Sequence, residues 1–409
     1  MCSCSFSEES LETSAYMLRN LRLLFWGRAF LETKALAAVT VLFFQMRGLK
    51  MDQIFYLTIV WSLTALVCEV PSGYLADVIG RKKTMLIGAV LFIASQTHRV
   101  YATNYWEFAF QFVLMSAAFS CFSGTEEAFL YESLKAVGRE DEMLAQSGRL
   151  SSARQIFKML TPLIGTMIAS DLSHAQFTVL LWIDVVTACI AFGIFLFLVE
   201  PPHVKHVLEE EIGIFAESLK TIKEHPWMMH VSVNKVLVFS GAFFTWRVYQ
   251  PILVEHGVTA IWLGVFYFLS SVFGFLGTWF LGAIEKRIGV VSFMTWTTVV
   301  SLVMYVLLVT TSSSVLLFFS FLVIITISIL REPAFSHLMN RHVQSASRAT
   351  TLSNLNMLKS VVDLPLMFGA AVLSMFNLRY PLVFGFVLCL IALFVFPVRE
   401  QKKHSDVTL

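Results

Sequence analysis

The chain has 409 residues, of which 57% are hydrophobic and only 14% are charged, and its mean hydropathy is +0.72. Soluble domains hold about 25% charged residues, so this composition excludes a disordered or disulfide-scaffold protein and argues against a soluble enzyme. The net charge of +2 creates no strong positive field, so no nucleic-acid partner is indicated. A helix that crosses a bilayer needs about 20 apolar residues, and the hydrophobic content suffices for twelve such helices joined by short loops.

Apolar segments recur along the whole chain in the manner of a multi-pass membrane protein. They predict twelve membrane-spanning helices, spans one to twelve, at residues 22–46, 53–75, 84–103, 107–132, 150–170, 175–198, 230–253, 260–283, 290–310, 315–337, 351–375 and 380–397. Lys and Arg are concentrated in alternate loops, which places both termini in the cytoplasm by the positive-inside rule. Short loops suggest a bacterial protein of the plasma (inner) membrane.

A more polar segment divides the chain into an N-terminal six-helix bundle at 1–198, a linker at 199–228 and a C-terminal six-helix bundle at 229–409. Apolar residues recur at helical spacing in the linker, which fits either an amphipathic helix on the inner membrane surface or a solvated helix. The two halves share weak sequence similarities. Two glycines seven residues apart follow span two, and two more with the same spacing follow span eight. These similarities favour an internal duplication of a six-helix unit.

The loop after span two reads GYLADVIGRKK and begins at Gly73. It resembles the signature G-x-L-A-D-x-x-G-R-K of the major facilitator superfamily. The resemblance implies an all-α membrane protein with twelve helices in two pseudo-symmetric six-helix bundles, and it implies a transporter, not an enzyme. It also implies that Gly73, Asp77, Gly80 and Arg81 form a cytoplasmic gate. Gly73 would let helices approach closely, Gly80 would permit the tight turn, and Asp77 would face a helix N-terminus or a basic residue.

Ionisable residues occur within many of the predicted spans, where they are costly and are usually functional or paired. In the superfamily fold, spans one, four, seven and ten line a central cavity. We therefore assign the substrate and proton pathway to polar residues on these spans and their neighbours: Arg28, Glu32, Glu126, Glu127, Arg154, Lys158, Lys235, Arg247, Gln250, Arg331, Glu332, Lys359 and Asp363. Span six contributes one further acid, Asp184.

Helical spacing assigns partners to some of these charges. Arg28 and Glu32 are four residues apart and can pair on one helix face, and the same holds for Lys359 and Asp363. Both pairs could be functional or purely structural. Glu332 directly follows a basic residue and lies about 100° around the helix from it, so those two do not pair.

Arg154 and Lys158 are also four residues apart, but they repel each other. They need acids from another helix or an anionic ligand. Glu126 and Glu127 are the expected partners, and they lie in a segment S-G-T-E-E-A that resembles a subgroup of bacterial facilitators. The following span lacks the glycine-rich pattern of drug antiporters, which argues against drug–proton antiport.

A carboxylate in a low-dielectric cavity can bind and release a proton near neutral pH. Four acids are therefore candidate proton carriers, and the alternative is that they form fixed salt bridges between helices: Glu32, Glu126, Glu127 and Glu332. In span seven, Trp246 and Tyr249 flank Arg247 and are candidates for substrate contact.

The sequence thus predicts a secondary active transporter of a small organic solute that is coupled to protons and works by alternating access. The resemblance to the superfamily further implies a monomer and transport in the direction of efflux. No cofactor and no metal are expected, and the coupling ion is H⁺. The buried bases slightly outnumber the acids, so an importer or exporter of an organic anion, such as a siderophore or a sugar acid, is the alternative. A transport-inactive membrane sensor is the remaining possibility.

Overall fold

The computed structural model describes residues 3–202, 226–340 and 362–399. Most of the predicted linker, including its amphipathic segment, and Lys359 lie outside these ranges. All regular elements within the described ranges are helices.

Helices lie at the positions of all twelve predicted spans, the eleventh from Val362 onward. In the first half they are α1 (Ser3–Leu31), α2 (Thr40–Met46), α3 (Met51–Ile79), α4 (Arg81–Tyr101), α5 (Tyr105–Phe122), α6 (Thr125–Lys135), α7 (Met143–Ile168) and α8 (His174–Leu196). In the second half they are α9 (Pro226–Glu255), α10 (Ala260–Ile288), α11 (Val290–Thr310), α12 (Ser314–Asn340), α13 (Val362–Ser374) and α14 (Tyr380–Phe394). By length and composition, six described helical segments can cross a membrane: Met51–Ile79, Tyr105–Lys135, His174–Leu196, Ala260–Ile288, Val290–Thr310 and Ser314–Met339.

Contacts divide the chain into two compact units. Unit 1 comprises 1–49, 57–206 and 259–268, and unit 2 comprises 50–56, 207–258 and 269–409. In unit 1, α1 packs on α8, and α4 packs on α5 and α8. In unit 2, α9 packs on α14, and α11 packs on α12 and α14. The order of packing is the same in each unit, as a duplication of six helices requires.

Two local structural features, a side-chain hydrogen bond of an asparagine and a glycine at a helix start, occur in both units. In unit 1, Asn20 near the start of span one donates to the carbonyl of Val199 (2.8 Å) after the last helix, and in unit 2 Asn234 donates to the carbonyl of Phe396 (2.8 Å). The helices of spans three and nine, α4 and α11, each start at a glycine of positive φ. These glycines are Gly80 (102°) and Gly289 (77°). Only glycine adopts such backbone angles readily.

Two spans that the sequence predicts as continuous are broken. Span one is helical to Leu31, leaves the helix at 32–36 and resumes through a 3-10 turn, Ala37–Val39, into α2. Span four is interrupted by Ser123 and by Gly124, which has a φ of 72°. Both breaks involve residues that we assigned to the substrate and proton pathway, since Glu32 begins the first break and Glu126 follows the second.

Candidate substrate and proton pathway

The gate loop forms a compact set of contacts in unit 1. Arg81 pairs with Asp77 (2.7 Å), as the sequence allows, and also with Glu132 on α6 (3.5 Å). The carboxylate of Glu200 accepts hydrogen bonds from the backbone N–H groups of Arg81 (2.6 Å) and Lys82 (2.9 Å). A carboxylate at this position satisfies free N–H groups at the start of α4 and complements the helix dipole.

The two gate glycines differ in their surroundings. A Cβ atom at Gly80 would stand 2.8 Å from the carboxyl carbon of Glu200, so both its backbone and its neighbour require glycine. At Gly73, no atom of the described residues lies within 4 Å of a Cβ position. The close helix approach that we expected at Gly73 is therefore not seen in the described part of the chain.

Unit 1 gathers the buried charges of spans one, four and five. Arg28 is 4% exposed and pairs with Glu32 (3.2 Å) and with Glu126 (3.1 Å). Glu126 also lies 3.7 Å from Arg154, and Glu32 lies 2.8 Å from Lys34. The predicted Arg28–Glu32 pair is confirmed, but it is one link in a network that joins three spans. We name these five residues the charge network.

The break in span four places Glu126 in the charge network. Because the helix restarts at Thr125, Glu126 and Glu127 occupy the first turn of α6, where free N–H groups favour negative charge. Glu126 is 3% exposed and points to the arginines. Glu127 is exposed and, within the described ranges, has no base within ion-pair distance. Of the two acids expected to face span five, the structure brings only Glu126 to it.

Lys158 does not complete an ion pair among the described residues. Its side chain is exposed within the chain, one helical turn beyond Arg154, and it interacts with Glu32 and Lys34 only at longer range. The charge network with Lys158 therefore carries four bases and two buried acids. The excess of positive charge leaves room for an anionic group.

The break in span one is held by side chains from two other helices. Asp184 on α8 accepts a hydrogen bond from the N–H of Ala35 (2.8 Å), and Thr161 on α7 accepts one from the N–H of Lys34 (3.1 Å). A Cβ atom at Gly165 would overlap the Ala35 carbonyl, so α7 approaches the break as closely as a glycine allows. The acid of span six thus binds a backbone N–H group that the break in span one leaves outside the helix.

Unit 2 handles its buried arginine differently. Arg331 donates to the carbonyl of Met294 (2.6 Å), the hydroxyls of Thr297 (2.9 Å) and Thr298 (3.0 Å), and the amide oxygen of Asn234 (2.8 Å). All four acceptors are neutral. Arg331 is 4% exposed, and no acid of the described ranges lies within ion-pair distance of it.

Lys235 and Glu332 form the ion pair of unit 2, at 2.8 Å. Lys235 is buried and lies over the ring of Phe335 at 4.2 Å, whereas the side chain of Glu332 is 49% exposed. As the sequence predicts, Glu332 does not pair with the arginine before it. A cavity between α9 and α12 is lined by Lys235, Val238, Phe239, Ser328, Arg331 and Glu332.

Three other assigned residues of unit 2 lie apart from this ion pair. Arg247 stacks on the ring of Phe243 (4.9 Å), and its Nε is buried without a hydrogen-bond partner. Gln250 is buried and donates to the hydroxyl of Tyr249 (3.2 Å). Asp363 accepts a hydrogen bond from Ser240. The predicted pairing of Asp363 with Lys359 lies outside the described residues.

Residues that the sequence reasoning left unassigned complete both sites. Lys34 belongs to the charge network, Glu200 and Glu132 contact Arg81 of the loop at 73–83, and Asn234 holds Arg331. Lys34 carried a usable signal, since it lies two residues from Glu32 in a membrane span. Glu200 did not, because its partners are 118 and 119 residues away.

The described helices are long and apolar, they bury paired charges, and two of the predicted spans are interrupted next to those charges. This combination is typical of one class of protein, the multi-pass membrane transporters. The family model described as "Major Facilitator Superfamily" matches residues 29–362, and the chain belongs to this superfamily. It is an all-α membrane protein and a transporter, not an enzyme.

Solved structures agree with this fold. The chain is similar to a crystal structure of the nucleoside transporter NupG, with 15% identity, a TM-score of 0.75, and coverage of 93% of this chain and 98% of that one. It is similar to a bacterial homologue of the human lysosomal transporter Spinster, with 15% identity, a TM-score of 0.74 and coverage of 94% and 96%. It is also similar to a D-xylose–proton symporter, with 11% identity, a TM-score of 0.68 and coverage of 93% and 98%. No match was found among curated protein sequences.

Proposed function

We propose that the chain is a proton-coupled secondary active transporter of a small organic solute that works by alternating access. The observation that carries the proposal is the sharing of Arg28 between two buried carboxylates, Glu32 and Glu126, at 3.2 and 3.1 Å. Charges buried in a membrane span are costly, so a network of this kind is retained where its charge state has a use.

The charge network offers a physical route for coupling. Protonation of Glu126 removes the negative charge that holds Arg154 (3.7 Å) and one of the two charges that hold Arg28. Arg28 then pairs with Glu32 alone, so the link between spans one, four and five loosens. A proton thereby changes the relative stability of two arrangements of these helices, which is the requirement for coupled alternating access.

We further propose that the transporter works in the direction of efflux from a bacterial cell. It is a monomer in the inner membrane, and both of its termini lie in the cytoplasm. Efflux and the monomeric state rest on the resemblance of the gate loop and on the family. The orientation rests on the Lys and Arg of the loops. The proton is the only coupling ion we propose, and the proposal includes no cofactor.

The test uses the purified chain in proteoliposomes that contain a pH-sensitive dye. Candidate solutes are first selected by thermal shift and are then added with and without an imposed pH gradient. We expect the solute to move protons across the membrane, and a pH gradient to drive the solute uphill. Solute flux that is unaffected by collapse of the pH gradient would contradict proton coupling. Ligand binding without any flux would support a sensor instead.

An organic-anion transporter is the second candidate, because unit 1 and unit 2 each contain an assigned base with neither an acid at ion-pair distance nor a hydrogen-bond acceptor in the described ranges. These bases are Lys158 and Arg247. Import and export of an anion are separated by growth of a deletion strain. An importer's loss slows growth on the anion as nutrient or iron source, whereas an exporter's loss increases sensitivity to the compound.

A further inference from the structure

We propose that α9 carries the binding site for an aromatic carboxylate, with Arg247 as the residue that binds its negative charge. The proposal rests on the transport function proposed above and names the substrate class for it. All residues that carry it belong to unit 2.

The first observation is that Arg247 has no polar partner in the described part of the chain. Its Nε is buried and makes no hydrogen bond, and its guanidinium lies over the ring of Phe243 at 4.9 Å. A buried donor atom that makes no hydrogen bond is energetically unfavourable. Arg331, on α12 of the same unit, shows how the fold satisfies an arginine that it needs for structure, with four neutral acceptors. Arg247 has no such acceptor among the described residues, so its guanidinium is available to an anionic ligand.

The second observation is the spacing of side chains along α9. Lys235, Phe239, Phe243 and Arg247 follow one another at intervals of four residues, so each is next to the following one in a stripe that turns about 120° around the helix. The rings of Phe239 and Phe243 contact each other, with centroids 6.3 Å apart. Arg247 thus stands at one end of an aromatic face, and Lys235 stands about 18 Å along the helix at the other end.

The third observation is that this face is accessible. Phe239, Phe243 and Arg247 are all partly exposed within the chain, so the described residues do not cover this face completely. The other side of α9 is closed, because residues such as Phe244 and Val248 are fully buried. A ligand can therefore lie against the aromatic face but not against the opposite side of α9.

The chemistry of this face selects one class of ligand. A planar guanidinium binds a carboxylate with two parallel hydrogen bonds, and an aromatic ring packs favourably on phenylalanine rings. A cation is rejected by Arg247. A dianion such as phosphate is disfavoured, because desolvating a second charge against two phenyl rings has no compensation there. A monoanion with a flat apolar body fits both parts.

The test uses benzoate as the probe and benzamide as its neutral counterpart, with binding to the purified full chain measured by calorimetry. We expect wild type to bind benzoate, and to bind benzamide at least tenfold more weakly because about 1.4 kcal/mol or more of charge-assisted bonding is lost. Arg247→Gln should weaken benzoate binding at least about tenfold and leave benzamide binding unchanged. Arg247→Lys keeps the charge but loses the planar fork, so its affinity should lie between the two.

Arg139→Gln is the matched control, because Arg139 is an exposed arginine outside the spans that pairs only with nearby Glu142 among the described residues. It should bind benzoate as wild type does. A wild type that does not bind benzoate, or that binds benzamide equally well, overturns the proposal. Equal benzoate affinity in Arg247→Gln, at an unchanged thermal midpoint, overturns it as well.

Transport is read separately from binding, so the two proposals can fail independently. Proton movement on addition of another solute, together with no benzoate binding, removes the aromatic-carboxylate site and leaves transport standing. Benzoate binding that depends on Arg247, without proton or solute movement in proteoliposomes, supports the site and contradicts the transport mechanism.

Discussion

The two units share one helix order but treat buried charge in opposite ways. In unit 1, Arg28 is held by two acids, Glu32 and Glu126, and these acids hold further bases. In unit 2, Arg331 is held by carbonyl, hydroxyl and amide oxygens that cannot titrate near neutral pH. The first arrangement changes with protonation and the second does not. The same helix order therefore holds two kinds of buried arginine, one with titratable partners in unit 1 and one with fixed partners in unit 2.

The largest expected effect comes from removing the shared base of unit 1. Arg28→Met leaves two carboxylates buried without their common partner, so we expect the free energy of unfolding to fall by about 3–5 kcal/mol. Adding Glu126→Gln to Arg28→Met should restore part of that loss, because one uncompensated charge is removed. Unfolding in detergent, followed by tryptophan fluorescence, measures both. No recovery in the double variant would contradict an ionic network.

A smaller loss is expected for the fixed arginine of unit 2. Arg331→Met leaves neutral acceptors unsatisfied, and we expect a decrease of about 2–3 kcal/mol in unfolding free energy. Glu332→Gln should not restore it, because Glu332 pairs with Lys235 instead.

Arg247→Met should cause no loss of unfolding free energy, since no described polar group depends on it. If Arg247→Met destabilises the chain as much as Arg331→Met, the contrast between these two arginines is wrong.

The helix-start glycines give a milder comparison between the units. Gly80 and Gly289 both have positive φ, but only Gly80 has a side chain, that of Glu200, within 3 Å of its Cβ position among the described residues. Gly80→Ala should cost about 2 kcal/mol and Gly289→Ala about 1 kcal/mol. The same fluorescence assay measures the free energy of unfolding of both variants. Equal losses would show that the Glu200 carboxylate can move away from the added Cβ atom without cost.

The smallest effect is expected at Glu142, which lies outside the spans. Hydrogen bonds from Arg139 and then Gln146 lower the pKa of Glu142 below its usual value. A lowered pKa in the folded state adds stability only above the pKa of the unfolded chain, and this contribution is lost as the pH falls through the folded pKa. Because the side chain of Glu142 is 37% exposed and water screens its charge, Glu142→Gln should leave the thermal midpoint unchanged at neutral pH. A clear shift would mean that surface charges matter as much as buried ones.

The sequence was sufficient for the fold and for local pairs. Apolar periodicity located the helices, the loop at 73–83 identified the superfamily, and spacing of four residues predicted the contact of Arg28 with Glu32. Each of these signals is contained in a short stretch of chain, or repeats along it.

Contacts between distant residues could not be predicted in the same way. The break in span one depends on Asp184, about 149 residues from the N–H group that it binds. Glu200 reaches the start of α4 across a similar distance. The neutral partners of Arg331 lie 33 to 97 residues away and have no charge to reveal them. One sequence without relatives shows which residues are unusual, but the partner is fixed only by packing.

Flux through proteoliposomes at several values of pH, compared between Glu126→Gln and Glu332→Gln, tests most directly whether the charge network of unit 1 carries the pH dependence of transport. Glu126→Gln should still exchange solute across the membrane but should lose its dependence on pH, because the charge network can no longer titrate at its centre. Glu332→Gln should keep that dependence. Unchanged pH dependence in Glu126→Gln, and likewise in Glu32→Gln, would contradict the account.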